Sequence, residues 1–327
     1  MIISKTPMRM SFVGGGSDLP AFYRMFGGAV VSTSIDKYMY ITVNEKFDSG
    51  VRASYSRTEE VERASDIEHP LIRAALRQVG IEGGVEMSSM ADIPSRGTGL
   101  GSSSSFTVGL LHALYGFAQR YASAEQLARE ACHIEIDICG EPIGKQDQYA
   151  AAFGGLSYIR FHPDETVSID PIICSRDTLE QLQSHTTVFY TGRSRSASEL
   201  LAKQSARTAS EERAQETLKQ MVALAHDLKV GLERDDLGLF GEILHENWML
   251  KRGLLEEISD SQIDEWYEAA RTAGATGGKL LGAGSGGFLM FFAPPDRHEA
   301  IAHQLPGLRQ MRFGFDRDGS QIIFYRP

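Results

Sequence analysis

The chain has 327 residues, with 33 Lys plus Arg against 43 Asp plus Glu and a formal net charge of −10. That length is ample for two domains, and 42% hydrophobic with 23% charged residues excludes a disordered or fibrous class. The acidic balance excludes a general nucleic-acid binder, whose affinity rests on Lys and Arg neutralising phosphates. Any anionic ligand must therefore meet positive charge locally. Cys132, Cys139 and Cys174 make neither a paired framework nor a CxxC clip, which fits a reducing compartment and implies no zinc site. The stretch MIISKTPMRMSFVGGG lacks the apolar run of a signal peptide. The run FLMFF at 288–292 is far shorter than the ~20 residues of a membrane helix. A cytoplasmic protein with no membrane partner is expected.

In chain order, AVVSTSI at 29–35 and YMYITVNEK at 38–46 are β-rich and meet at Asp36 and Lys37, which predicts a hairpin. HPLIRAALRQVG at 69–80 predicts a helix stopped by Gly80. VEMSSMADI at 85–93 reads as a strand, and FTVGLLHALYGFAQRY at 106–121 as an apolar helix. A further helix opens with the capping pattern Ser123-Ala-Glu-Gln126 and runs to about 139. The polar stretch CGEPIGKQDQYAAAFGG at 139–155 reads as a loop, followed by short strands near 157–170. A strand at TTVFYTG precedes a charged helical tract from Ser196 to about Ala273; then come a strand (GGFLMFFA), a helix (RHEAIAHQL) and a terminal hairpin turning near Asp316 to Gly319. The change of character puts a domain boundary near 185, giving domains 1–185 and 186–327.

Three glycine-rich stretches punctuate this order. GTGLGSSSS at 97–105 lies between a strand and a helix, so its N–H groups and the helix N-terminus face one point, an arrangement that binds phosphate. It lacks the Lys of a Walker A loop; a Gly/Ser linker is the bland alternative. Ser102 or Ser103 is the expected helix cap. GAGSGG at 282–287 matches GxGxxG but follows a helix and precedes a strand, the reverse of dinucleotide-binding order, so a tight turn competes with a ligand role. Gly14, Gly15 and Gly16 alone mark only a strand end.

Among charged residues, Glu135 shares its helix face with Ala128, Ala131, Cys132, Ile138 and Cys139, an apolar setting that is costly without a cation or metal. Glu130, His133 and Asp137 point elsewhere and read as solvated. Lys145 lies two positions from Asp147, which suits a base whose pKa a neighbouring cation holds down. Arg9 reads equally as an edge ion pair or an active-site cation. Arg193 and Arg195, among serines at a strand-to-helix junction, read as an anion pocket or a plain basic helix start.

Together, PMRMSFVGGGSD at 7–18, IPSRGTGLGSSSS at 93–105 and KLLGAGSGGF at 279–288 resemble the three ordered motifs of the GHMP kinases, with Pro94 one residue further from the GLGSS core than usual. HIEIDICGEPIGKQDQ at 133–148 is similar to the galactokinase pattern. Within the family, GGGSDLPAFY, GEPIGKQDQYAAAFGG and the TGxSRSAS tract are most similar to the branch acting on heptose 7-phosphate, with the fucokinase branch as the nearest alternative. The resemblance implies a two-domain α/β fold: an N-terminal mixed-sheet domain and a C-terminal ferredoxin-like domain with extra helices. It implies ATP and Mg²⁺ as cofactors and a sugar phosphate as substrate; a homodimer is left open. Carried over residue by residue, it implies Asp147 as the catalytic carboxylate, with Arg9 and Lys145 as cations. Gly97, Gly99, Leu100, Gly101, Ser102, Ser103 and Ser104 would cradle the ATP phosphates, and Glu135 and Ser103 would bind the metal. Gly15, Gly16, Ser17, Asp18, Gln146, Gly284 and Gly286 would surround the acceptor, with Arg193 or Arg195 reading its phosphate.

Overall fold

A computed structural model describes residues 1–93, 97–193 and 197–326. The first tract builds a mixed sheet with helices against it: β1 (Ile2–Val13), α1 (Pro20–Phe26), β2 (Gly28–Glu45), β3 (Val51–Ser54), β4 (Thr58–Val61), α2 (Pro70–Val79), β5 (Val85–Ala91), α3 (Ser102–Phe117), α4 (Ala124–Cys132), α5 (Gln146–Phe153), β6 (Leu156–Phe161), β7 (Val167–Pro171) and α6 (Arg176–His185). The expected hairpin at Asp36 and Lys37 is absent. β2 runs straight through those residues, because a β-branched and aromatic run without Gly, Pro or Asn at the join offers no turn, and β1 pairs along both halves from Ile2↔Val43 to Val13↔Val31. α2 starts on Pro70 and stops at Gly80, whose φ of 80° is the left-handed conformation glycine supplies cheaply. Ser123 caps α4 by accepting from the Gln126 N–H at 3.2 Å.

The second tract supplies β8 (Thr186–Tyr190), four helices α7 (Ala197–Ser210), α8 (Glu212–Glu233), α9 (Phe240–Arg252) and α10 (Ser261–Thr272), then β9 (Gly277–Leu280), β10 (Phe288–Phe292), α11 (His298–Gln304) and β11 (Arg309–Met311). Its antiparallel sheet has the order β11-β8-β10-β9. With helices between the first and second and between the third and fourth strands, this is the ferredoxin-like arrangement. GAGSGG therefore joins two paired strands instead of following a helix; the four-residue strand GGKL, half glycine, gives no periodic signal. The last strands, β12 (Phe315–Asp316) and β13 (Gln321–Tyr325), return to the first sheet. They do not form the expected hairpin with each other: β12 pairs with β2 and β13 with β1. Nine strands of the described residues make up that first sheet.

Three apolar clusters fix the layers. Leu110, Leu111 and Leu114 of α3 pack on Val30, Ile41 and Val43 of β2. Met8, Met10 and Phe12 of β1 meet Leu228, Phe240 and Leu244 of α8 and α9, joining the two sheets. Trp248, Tyr267 and Phe291 fill the second tract. No helix of the described residues is long and apolar enough to cross a membrane.

Candidate active site

The loop before α3 is built on main chain. Gly97, Gly99 and Gly101 have φ of 68°, 75° and 73°, and Leu100 between them is fully buried. A Cβ on Gly99 would stand 2.2 Å from the Leu281 carbonyl oxygen, so glycine is required there. The N-cap of α3 is Gly101, not Ser102 or Ser103, and no side chain caps the helix. Ser103 and Ser104 instead donate to Glu135, at 3.3 and 2.8 Å. What this turn can offer an anion is therefore backbone N–H groups and the helix dipole.

Glu135 lies in a π-helical turn, His133–Ile138, that continues α4 where an ordinary helix was expected. The added residue aims its carboxylate beneath α3. Thr107 donates to it at 2.9 Å and Gln148 of α5 also donates. Burial raises its pKa to about 7 against the pull of these hydrogen bonds. Glu130, expected in solvent, is buried and accepts from Tyr115 Oη at 2.7 Å and Gln126 at 3.0 Å.

Asp147 sits in the first turn of α5, not in a loop. Arg9 of β1 reaches it with Nε at 2.7 Å and Nη2 at 2.6 Å, while Nη1 donates to the Gly99 carbonyl at 2.6 Å. Asp18 faces the same space. It accepts from the Gly16 N–H at 3.0 Å and from Gln146 Nε2 at 3.2 Å, and burial, reinforced by Asp147, pushes its pKa up. Gly15, Gly16, Gln146, Asp147, Arg9, Asp18, Glu135 and the 97–104 loop line one cleft of about 1140 Å³.

Other expected residues are not brought to the cleft. Ser17 turns inward and exchanges hydrogen bonds with Ala29, at 3.1 and 3.0 Å. The Lys145 ammonium points to Glu165, donating to its carbonyl at 3.1 Å, and lies over the Tyr23 ring at 4.8 Å. Arg193 pairs with Asp260 at 2.7 Å away from the cleft lining. Arg195 and Pro94 lie outside the described residues. Gly284 and Gly286 meet the backbone of Ile258 and Arg193, so they pack the β9–β10 loop and do not touch the cleft. That loop lines the cleft with Gly282 and Ala283, and a Cβ on Gly282 would stand 2.3 Å from Gly99 Cα.

Sequence models of known families match two parts of the chain: the GHMP kinases N terminal domain at residues 66–155 and the GHMP kinases C terminal domain at 228–307. The chain belongs to the GHMP kinases. It is accordingly an ATP-dependent kinase. A D-glycero-alpha-D-manno-heptose 7-phosphate kinase of Campylobacter jejuni is 28% identical over 90% of each chain. A bifunctional fucokinase/GDP-fucose pyrophosphorylase of Arabidopsis thaliana is 25% identical over 88% of this chain and 29% of its own length. A crystal structure of a D-glycero-D-manno-heptose 1-phosphate kinase from Bacteroides thetaiotaomicron superposes with a TM-score of 0.82, at 27% identity, over 100% of both chains.

For a GHMP kinase the cleft also holds residues that sequence reasoning missed. Lys251 of α9, Lys279 of β9 and Gln204 of α7 line it. Lys279 opens the third motif, a signal within reach; Lys251 and Gln204 sit in charged helices with nothing local to distinguish them. The family's usual Mg²⁺ is compatible with the donors present. Glu135 is a buried carboxylate with no cation paired to it among the described residues, and Ser103 adds a hydroxyl through the longest of the bonds to it. Among those residues no three His, Cys, Asp or Glu side chains would hold a metal unaided, which suits an ion bound mainly through phosphate oxygens and one carboxylate.

Proposed function

We propose that this sugar kinase transfers the γ-phosphoryl group of ATP to the anomeric hydroxyl of D-glycero-D-manno-heptose 7-phosphate, giving the 1,7-bisphosphate and ADP for activated-heptose and cell-surface glycan synthesis in the cytoplasm. The observation that carries the reading is the Arg9–Asp147 pair, where the phosphate loop, the start of α5 and the Asp18 turn converge on one cleft. The choice of acceptor rests on the likeness to the Campylobacter jejuni enzyme along nearly all of both chains.

Phosphoryl transfer needs positioning and charge stabilisation more than covalent chemistry. Asp147 takes the proton of the attacking hydroxyl, and Arg9 neutralises charge growing on the transferred group. Asp18, fixed by Gln146 and Gly16, orients the sugar's hydroxyls. Glu135 and Ser103 would hold Mg²⁺, which when bound supplies charge neutralisation at the phosphates. The cleft lining also includes Tyr55, Met90, Ile93 and Phe106, apolar and aromatic side chains that suit an adenine ring.

An ATP-consumption assay over heptose 7-phosphate, unphosphorylated heptose, fucose and galactose tests this, with the product's phosphate positions read by ³¹P NMR. Heptose 7-phosphate should give the highest kcat/KM and a second phosphate on C1. The fucokinase relative supports one alternative, a deoxysugar 1-kinase; a higher kcat/KM with fucose would favour it.

A further inference from the structure

Two lysines of the cleft wall have no part in the chemistry above. Lys251 and Lys279 are 4% and 1% exposed. Among the described residues each ammonium donates only to main-chain carbonyls: Lys251 to Gly282, and Lys279 to Ser11 at 2.7 Å and Phe12 at 2.9 Å. Neither has a carboxylate within ion-pair distance among those residues, unlike Arg9. A buried cation bonded only to neutral groups is costly unless a ligand supplies the counter-charge.

Lys279 lies under β1 with two carbonyls already on it. Lys251 is the one tied to the reacting centre. The Gly282 carbonyl it holds belongs to the residue that touches Gly99, and the Gly99 carbonyl accepts from Arg9 Nη1 at 2.6 Å. Arg9 and Lys251 are thus anchored to the same pair of touching loops. Burial drives the Lys251 pKa down to about 8, Arg9 acts in the same direction, and Asp18 and Asp147 act against it, so all three acidic and basic groups of the centre are within electrostatic reach. Four polar atoms of residues lining the same cleft are buried without a hydrogen-bond partner among the described residues: Ser11 Oγ, Thr98 Oγ1, Gln146 Oε1 and Gln204 Nε2. Gln204 Nε2 lies 2.4 Å from where a Cβ on Gly16 would stand.

We propose that Lys251 binds a phosphate oxyanion of the bound substrates, completing a two-cation clamp with Arg9 in which Lys251 takes the place that sequence spacing suggested for Lys145. This rests on the kinase reading of the cleft. The oxyanion belongs either to the γ-phosphoryl group of ATP or to the acceptor's own phosphate.

The test compares wild type with Lys251→Met and Lys251→Gln in steady-state kinetics and in thermal melts with and without inorganic pyrophosphate. Both variants should lose at least tenfold in kcat/KM while melting at or above the wild-type temperature, because a buried unpaired charge has gone; pyrophosphate should raise the melting temperature of the wild type more than that of the variants. A fall in kcat with both KM values unchanged assigns the γ-phosphoryl group. A rise in KM for heptose 7-phosphate but not for unphosphorylated heptose assigns the acceptor phosphate. Kinetics within twofold of wild type, or a lowered melting temperature with an undiminished pyrophosphate response, overturns the proposal. If the wild type uses neither heptose, the acceptor assignment fails, while the pyrophosphate arm still decides the role of Lys251.

Discussion

Arg9 holds Asp147 by a single carboxylate oxygen. Nε and Nη2 both meet Oδ1, at 2.7 and 2.6 Å, and Oδ2 takes no hydrogen bond among the described residues. The guanidinium thus fixes the carboxylate's orientation and leaves the second oxygen unbonded among those residues, as the proposed mechanism needs it.

Asp147→Asn keeps the shape but removes the proton acceptor. The expected loss in kcat is about 10²–10⁴-fold, with the ATP dissociation constant, measured by calorimetry, unchanged within a few fold. Near-normal kcat would remove Asp147 from its role.

Gly101 and Gly80 share a left-handed backbone, but their surroundings differ. A Cβ on Gly101 meets Arg9 Cγ at 3.2 Å and Asp147 Oδ2 at 3.3 Å, whereas one on Gly80 meets nothing within 4 Å. Both alanine variants should lose about 1–2 kcal/mol of stability to backbone strain, measured by urea unfolding. Only Gly101→Ala should also depress kcat, because it crowds Arg9 and Asp147, the pair on which the proposed mechanism rests. Equal kinetics in the two variants would contradict this.

Glu165 gathers Lys145, Tyr23 and Arg24. Burial pushes its pKa up, but hydrogen bonds from those three groups outweigh burial and bring it to about 2. A carboxylate depressed in the folded state contributes stability that is present above about pH 4.5 and lost as pH falls towards 2. Glu165→Gln should therefore lower the melting temperature at pH 7 and narrow its difference from wild type between pH 4.5 and 2. A difference that stays constant over that range would refute the linkage.

Arg193→Ala removes a half-exposed pair with Asp260, an interaction of at most about 1 kcal/mol. The ratio of kcat/KM for heptose 7-phosphate to that for heptose should stay within twofold of wild type. A collapse of that ratio would return Arg193 to the acceptor site.

Much of the site was legible because its parts are local. The loop before α3 shows as glycines between a strand and a helix, and Glu135 as an acid among apolar neighbours. The sequence could not show that Glu135 stands on a π-helical turn, since one extra residue leaves the face pattern nearly intact. Asp147 and Lys145 look like partners at a spacing of two, yet the start of α5 sends them to opposite partners, Arg9 and Glu165. The long β2 was misread for a related reason: alternation reports burial, and a strand that crosses the whole sheet changes its burial pattern midway without turning.

The contact of Gly99 with Gly282 joins the glycine loop before α3 to the loop that Lys251 grips. No side chain separates them, so the spacing of the two loops is set by direct contact of main chain. A substitution on the cleft wall, at Gln204 or Gln146, can therefore reshape the space beside that contact without changing the spacing of the two loops.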